Sequence, residues 1–537
     1  MKRIVAAACC LLALAVNLPP ARAQAGPDIR LVLLIAIDQF RYDYLTRFLG
    51  DYSDGLKKLL THGAVFTNAN LEHYPTVTAV GHATMLSGAT PSVSGIIGND
   101  WFDRETASTV QSITDTTVQT VESETGGAAS PRRLLVTTLG DQMKLASRFG
   151  KGSPDAPRVY GLSLKDRGAI LPVGHTADGA YWYDTTTGRF ITSTYYMSTA
   201  PEWVHKFNER KPSDASAGAQ WTMFDAPHKL LHRLPPLGKD LYLDLFGSPF
   251  GTDLLLQFTD ELLTRELLGQ RNVTDLLSVS FSSNDPIGHT YGPDSPEVRD
   301  ISIRTDRAIG RLLDRVDKLV GLDHTVVAFT SDHGVAPLPE FLKERGAPGG
   351  RMTSADLFDP IQNALSKKFG DGKWILSTAG TSPYLNYELA TGRGLDLQDV
   401  RRVAAEAAMT APHVTRVYTR DQLLRGEIAQ DRVGQRVLRG FNAQRSGDLE
   451  IILAPFWIRQ ANGTTHGTAY NYDAHIPLIL MGSRIKAGEY ANDVALNDLA
   501  PTLATLLKVE IPSGSAGRVL TEALDGPTTF HAPIVRR

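Results

Sequence analysis

Cysteine is nearly absent: the 537 residues hold two thiols, Cys9 and Cys10. Both sit inside an apolar run from Ile4 to Val16, which follows Lys2 and Arg3 and precedes Ala21-Arg22-Ala23. A charged start, an apolar middle and a small-x-small exit mark a cleavable export signal, here residues 1–23. Because the cysteines lie within the run and not at its end, a lipid-modified cysteine is disfavoured. Cleavage after Ala23 removes both thiols, so residues 24–537 can build neither a disulfide framework nor a thiolate metal centre. The run also falls short of the ~20 residues that a membrane span needs. The expectation is a periplasmic or secreted protein with no stable membrane anchor.

An excess of one charge is missing too. The chain has 55 basic and 58 acidic residues, a formal net charge of −3. Loss of Lys2, Arg3 and Arg22 with the leader moves this to about −6. That balance argues against general nucleic-acid binding, which wants a basic face. There is no internal repeat, heptad array or low-complexity tract. What remains, 42% hydrophobic and 21% charged residues, is the composition of a globular enzyme. The length implies one large catalytic domain over 24–537 with insertions.

Several aliphatic runs end on chemistry. Arg30 to Ile37 delivers Asp38, Asp275 to Ser282 leads to Asp285, and Thr325 to Thr330 leads to Asp332. Continuous apolar runs of this length suit strands buried on both faces. Between them, Ile301, Ala308, Ile309, Leu312, Leu313 and Val316 repeat at helical spacing over Ser295 to Val320. Tyr42 to Leu60 and Leu496 to Leu507 also read as helices, and Ala474 to Met481 as a strand. The pattern predicts an α/β fold with a central, mostly parallel sheet flanked by helices and a site beyond the strands' carboxyl ends. Two stretches read as inserted cap segments. About 160–250 includes an aromatic-, Pro- and His-rich part from Tyr181, and about 346–448 has its own strand, helix and strand signals.

Six residues of metal-ligand type stand near these strand ends: Asp38, Asp285 and His289 (an Asp-x-x-x-His spacing), the adjacent Asp332 and His333, and His466. Singly, each has an ordinary explanation as a cap, a turn or a structural histidine. Collected in one crevice, three plus three carboxylate and imidazole donors suit two zinc-like ions with open positions, a device for phosphoryl transfer. A hydroxyl candidate follows in Tyr74-Pro75-Thr76-Val77-Thr78, where a turn passes into an apparent helix. A hydroxyl there meets unpaired N–H groups and the positive end of the helix dipole. On chemistry alone, Thr76 and Thr78 are equal candidates.

Taken in order, Asp38, Thr78-Ala79-x-Gly81-His82, Gly98-Asn99-Asp100-Trp101, Asp285-x-x-x-His289, Asp332-His333 and His466 resemble the alkaline phosphatase superfamily. Within it, the likeness is to bacterial secreted phosphatases with a threonine nucleophile. The resemblance implies Thr78 as nucleophile and as a contact of the second ion, and Asn99 as a phosphate-oxygen ligand. It further implies one zinc at Asp285, His289 and His466 and another at Asp38, Asp332 and His333. Lys165 and Arg167, two apart in Ser163-Leu164-Lys165-Asp166-Arg167, would share one side of an extended segment. Two cations suit a monoester dianion better than a diester monoanion, and this segment resembles the monoesterase branch. The expected activity is hydrolysis of small-molecule phosphate monoesters through a phosphothreonine, with two Zn2+ per chain. The nearest alternative is a phosphodiesterase or nucleotide pyrophosphatase, and the remotest a non-catalytic phosphate-binding protein. A sulfatase is disfavoured, because that family converts a Cys or Ser where Thr78 stands. His82 and His175 read as local hydrogen-bonding residues. Tyr181, Trp182 and Tyr183 read as core, with the substrate entrance as the alternative.

Overall fold

Leu31–Ile37 is wholly apolar and buried along its length, as a strand pressed between two layers must be. The computed structural model describes residues 28–525 apart from 126 and 151, so the export signal expected over residues 1–23 lies outside the described residues. Leu31–Ile37 is β1 of a ten-stranded sheet. The others are β2 (Ala64–Phe66), β3 (Thr120–Val121), β4 (Val159–Ser163), β5 (Gly179–Asp184), β6 (Arg189–Ser193), β7 (Asp275–Phe281), β8 (Thr325–Thr330), β9 (Leu478–Gly482) and β10 (Gly488–Tyr490). Their spatial order is β10-β2-β9-β8-β1-β7-β4-β5-β6-β3.

The five central strands, β8-β1-β7-β4-β5, run parallel. The margins are largely antiparallel, at β9 against β8 and β2, β6 against β5, and β3 against β6. The sheet is therefore mixed, with its parallel part where the site residues are. Alternation along β1 sends Val32, Leu34 and Ala36 into one core and Leu31, Leu33, Ile35 and Ile37 into the other. Helix α1 (Thr78–Ser87) closes the first core, while α4 (Pro296–Leu319) closes the second with Ile301, Ile309 and Leu312. Two further helices matter here, α2 (Asp166–Ile170) and α3 (Asn284–Tyr291).

The single helix expected over Tyr42 to Leu60 is two, Asp43–Arg47 and Gly55–His62. The reason lies on α4. Asp306 accepts from the backbone N–H groups of Ser53, Asp54 and Leu56, which starts a new helix there. Gly55 permits the approach, since a Cβ would fall 2.4 Å from the Gly310 nitrogen.

The stretch of about 160–250 also differs from an inserted cap. β4, β5 and β6 are strands of the central sheet, and the chain leaves it only after Ser193. Tyr181, Trp182 and Tyr183 lie buried on β5, with Tyr181 packed on Phe258 and Trp203, so they form core and not an entrance. Residues 354–453 carry a separate cluster built on Leu357, Ile361, Trp374, Val400, Leu449 and Ile451. Its strand pairs are Ile375–Ala379 with Ser382–Leu385, and Val414–Thr419 with Leu449–Leu453. Among the described residues, no helix is long and apolar enough to cross a membrane.

Candidate active site

Because β8, β1, β7 and β4 are parallel, Asp332, Asp38, Asp285 and Lys165 all emerge at one edge. β9 runs the other way, so its start lies at the same edge and the segment bearing His466 precedes it.

The three aspartates are buried and each is held from more than one side. Asp38 Oδ1 accepts from Ser280 Oγ at 2.6 Å and lies 3.1 Å from His82 Nε2. Asp332 Oδ1 accepts from the Gln39 N–H at 2.9 Å, while its Oδ2 has no hydrogen-bond partner. Asp285 Oδ1 accepts from Gln39 Nε2 at 2.7 Å. The Lys165 ammonium joins two of them, 2.7 Å from Asp285 Oδ2 and 2.9 Å from Asp38 Oδ2. Burial pushes both carboxyl groups up, yet Lys165, with His82 at Asp38 and His289 at Asp285, holds each well below the usual range. Burial likewise works against the Lys165 charge, but Asp285 and Asp38 outweigh it and raise that pKa.

Three histidines share one orientation. Nδ1 of His289 meets the Thr464 carbonyl at 2.7 Å, that of His466 the Thr76 carbonyl at 2.8 Å, and that of His333 the Gly334 carbonyl at 2.9 Å. A carbonyl that accepts from Nδ1–H keeps the ring proton on that nitrogen and leaves the Nε2 lone pair for a metal, the usual support of a metal-binding imidazole. His289 Nε2 and His466 Nε2 lie 3.3 and 3.7 Å from Asp285 Oδ1, and His333 Nε2 lies 3.2 Å from Asp332 Oδ2. His82 differs: its Nε2 also approaches Asp332 Oδ2, at 3.6 Å, but its buried Nδ1 has no partner. Two groups of donor atoms thus fall within metal-binding span, Asp285 with His289 and His466, and Asp38 with His82 and Asp332. His82 therefore belongs to the site, while His175 bonds locally to the Val136 carbonyl.

Thr78 opens α1, with Oγ1 3.3 Å from His333 Nε2. Thr76 is occupied otherwise, donating its hydroxyl to the Thr468 carbonyl at 2.8 Å. Asn99 Oδ1 accepts the Ala79 N–H at 2.9 Å, which leaves its amide N–H groups for another acceptor. Gly81 lets α1 meet the Asp332 backbone, since a Cβ there would lie 2.3 Å from the Asp332 carbonyl oxygen. Lys165 and Arg167 do not sit on one extended segment. Lys165 is the extended cap residue of α2, and Arg167 lies in its first turn, where the Asp166 carboxylate accepts its N–H at 2.7 Å.

Beside Asn99, Val77 and His466 opens a cavity of about 460 Å³, walled across by Tyr74, Glu450 and Trp457. Burial pushes the Glu450 carboxyl up to about 7, with only Ser382 opposing. A carboxyl bound as the acid in the fold loses stability as pH rises from its unfolded value through about 7. Glu450→Gln is therefore expected to gain roughly 3 kcal/mol at pH 9 and under about 1 kcal/mol at pH 5. Thermal unfolding at the two pH values checks this, and an equal shift at both would contradict it.

Residues 32–473 match the family described as type I phosphodiesterase / nucleotide pyrophosphatase. The chain belongs to this family. Among curated members, it is 35% identical to alkaline phosphatase PafA of Elizabethkingia meningoseptica, over 94% of this chain and 96% of that one. It is 33% identical to a protein of Myroides odoratus named calcium-transporting ATPase, over 97% and 99% of the two chains. Alkaline phosphatase PhoV of Synechococcus elongatus is 34% identical over 92% and 93%. The crystal structure of PafA superposes with a TM-score of 0.85 at 34% identity, covering 93% of this chain and all of that one. A further PafA structure carries replacements at one threonine, one asparagine, one lysine and one arginine. Across the family match, the large mixed sheet flanked by helices is the shared fold.

Proposed function

We propose that the protein is an exported, two-zinc alkaline phosphatase that hydrolyses phosphate monoesters through a phosphothreonine at Thr78. The observation that carries this reading is the convergence of Thr78, the free amide of Asn99 and the Lys165 ammonium on two ligand groups. The named activity of PafA and PhoV supports it. So does spacing: the replaced threonine and asparagine of PafA stand 21 residues apart and the lysine and arginine two, as Thr78 and Asn99, and Lys165 and Arg167, do here.

The donor chemistry fits zinc. The six candidate protein ligands are carboxylates and imidazoles, and the buried Asp332 Oδ2 faces the Nε2 atoms of His333 and His82 at 3.2 and 3.6 Å, a donor set suited to a cation. Asp285, His289 and His466 would hold one ion, and Asp38, Asp332 and His333, with Thr78, the other. His333 is preferred to His82 because its Nδ1 is pinned and its Nε2 faces both Asp332 Oδ2 and Thr78. His82 instead supports Asp38 from the Oδ1 side, next to Ser280. Bound zinc supplies Lewis acidity, which favours the ionised hydroxyl and a departing oxyanion.

In the first step Thr78 gives its hydroxyl proton to solvent, its Oγ1 attacks phosphorus, the bond to the leaving oxygen breaks, and that oxygen takes up a proton from solvent to leave as the alcohol. In the second, water attacks the phosphothreonine, restoring Thr78 and releasing inorganic phosphate. Asn99 Nδ2, Lys165 and Arg167 bind the nonbridging oxygens, so catalysis is chiefly positioning and charge stabilisation. The alcohol departs toward the cavity of Glu450 and Trp457, beside His466. The test is chelation. Exhaustive removal of metal should abolish hydrolysis of a chromogenic monoester, and two equivalents of zinc should restore it. Full activity in metal-free protein would sink the reading.

A further inference from the structure

Gln39 follows Asp38 directly, and it touches the other two aspartates of the site. Its backbone N–H donates to Asp332 Oδ1 at 2.9 Å, and its side-chain Nε2 donates to Asp285 Oδ1 at 2.7 Å. It does so from a left-handed backbone, φ 59°, a conformation that costs a long side chain energy and persists only where surroundings enforce it. The surroundings here are specific. Asn284 Nδ2 donates to the carbonyls of both Asp38 and Gln39, at 3.0 and 3.1 Å, and clamps the turn. Gly288, one turn further along α3, leaves room for the amide: a Cβ at 288 would sit 1.8 Å from Gln39 Oε1. Gln39 itself is fully buried.

We propose that Gln39 is a positioning residue that ties the two ligand groups into one site, with Gly288 as the seat that its amide requires. The inference rests on the two-zinc reading above. Each donation fixes one carboxylate oxygen and so aims the carboxylate at its ion, as outer partners of metal ligands do. The side-chain bond serves the Asp285, His289 and His466 group, and the backbone bond serves the Asp38, Asp332 and His333 group. A substitution at 39 that spares the backbone N–H should therefore weaken only the first group.

Three variants test this in the full chain: Gln39→Gly, Gly288→Ala and the double change. Gln39→Gly relieves the left-handed backbone and keeps the N–H. Gly288→Ala places the better helix former in α3, so on propensity alone it should stabilise. Zinc content is measured against graded free-zinc buffers, with cobalt(II) spectra of the substituted protein and the melting temperature of the metal-free form. The expected result is a 10- to 100-fold loss of affinity for one ion in both single variants, the size typical for such partners. The second ion keeps its affinity, and the metal-free form of Gln39→Gly still unfolds in one cooperative transition, which separates a lost metal ligand arrangement from a lost fold. The double variant should bind no worse than Gln39→Gly, because the clash has no amide left to displace. Two tightly held ions in all three variants would overturn the proposal alone, and so would losses that add in the double variant. A wild-type protein that takes up fewer than two zinc ions would overturn the two-zinc reading beneath it as well.

Discussion

Replacing Thr78 with alanine is expected to lower monoester turnover by about ten-thousand-fold or more, the scale of losing a covalent nucleophile. It should also leave no acid-stable phosphate on the protein after a denaturing quench. The hydroxyl stands at the first residue of α1, next to His333 and one residue from the N–H that orients Asn99. The nearest rival in the chain, Thr76, already donates to the Thr468 carbonyl. Thr76→Ala should therefore cost about 1 kcal/mol of stability, the worth of one buried hydrogen bond, and keep the label. Quantitative phosphate trapping and thermal unfolding on the two variants separate these roles. Label that survives in Thr78→Ala and vanishes in Thr76→Ala would exchange them.

Much of this arrangement was legible in the sequence because parallel strands write themselves plainly. Buried on both faces, β1, β7 and β8 are unbroken aliphatic runs, and the acids that follow them must come out at one edge. What the sequence hid was long-range and backbone-borne. Gln39 carries no local signal, because its partners lie 246 and 293 residues away and one of its two donors is a backbone N–H. The glycine in Asp285-Pro286-Ile287-Gly288-His289 was the available hint, since a helix interior otherwise avoids glycine. His82 reads as a local hydrogen-bonding residue for the same reason: its partners, Asp38 and Asp332, are distant in the chain. The helix over Tyr42 to Leu60 broke because Asp306, some 250 residues on, supplies a second helix start. Tyr181 to Tyr183 read correctly as core, but the Pro- and His-rich chain after them made the whole stretch resemble an inserted cap, where pairing with β4 makes a strand of the central sheet.

Removing the cations one at a time is expected to separate monoester from diester chemistry. Arg167→Ala is the cleaner change, because Arg167 bonds within α2 to Asp166 and touches none of the aspartates of the ligand groups. Lost contact with a charged nonbridging oxygen is worth roughly 2–4 kcal/mol, or about 30- to 1,000-fold in kcat/KM on a monoester. A diester carries one charge fewer, so its loss should be about tenfold or less. Lys165→Ala should fall further on monoesters, but its ammonium also lies between Asp285 and Asp38. Zinc content must therefore be measured on that variant, so that a lost ion is not mistaken for a lost substrate contact. With two zinc ions still bound, the ratio of monoester to diester kcat/KM becomes the decisive quantity. A ratio that collapses in both variants assigns the pair to the second substrate charge. An unchanged ratio, with both rates reduced alike, would make Lys165 and Arg167 general supports of the site and return the protein to the diesterase alternative.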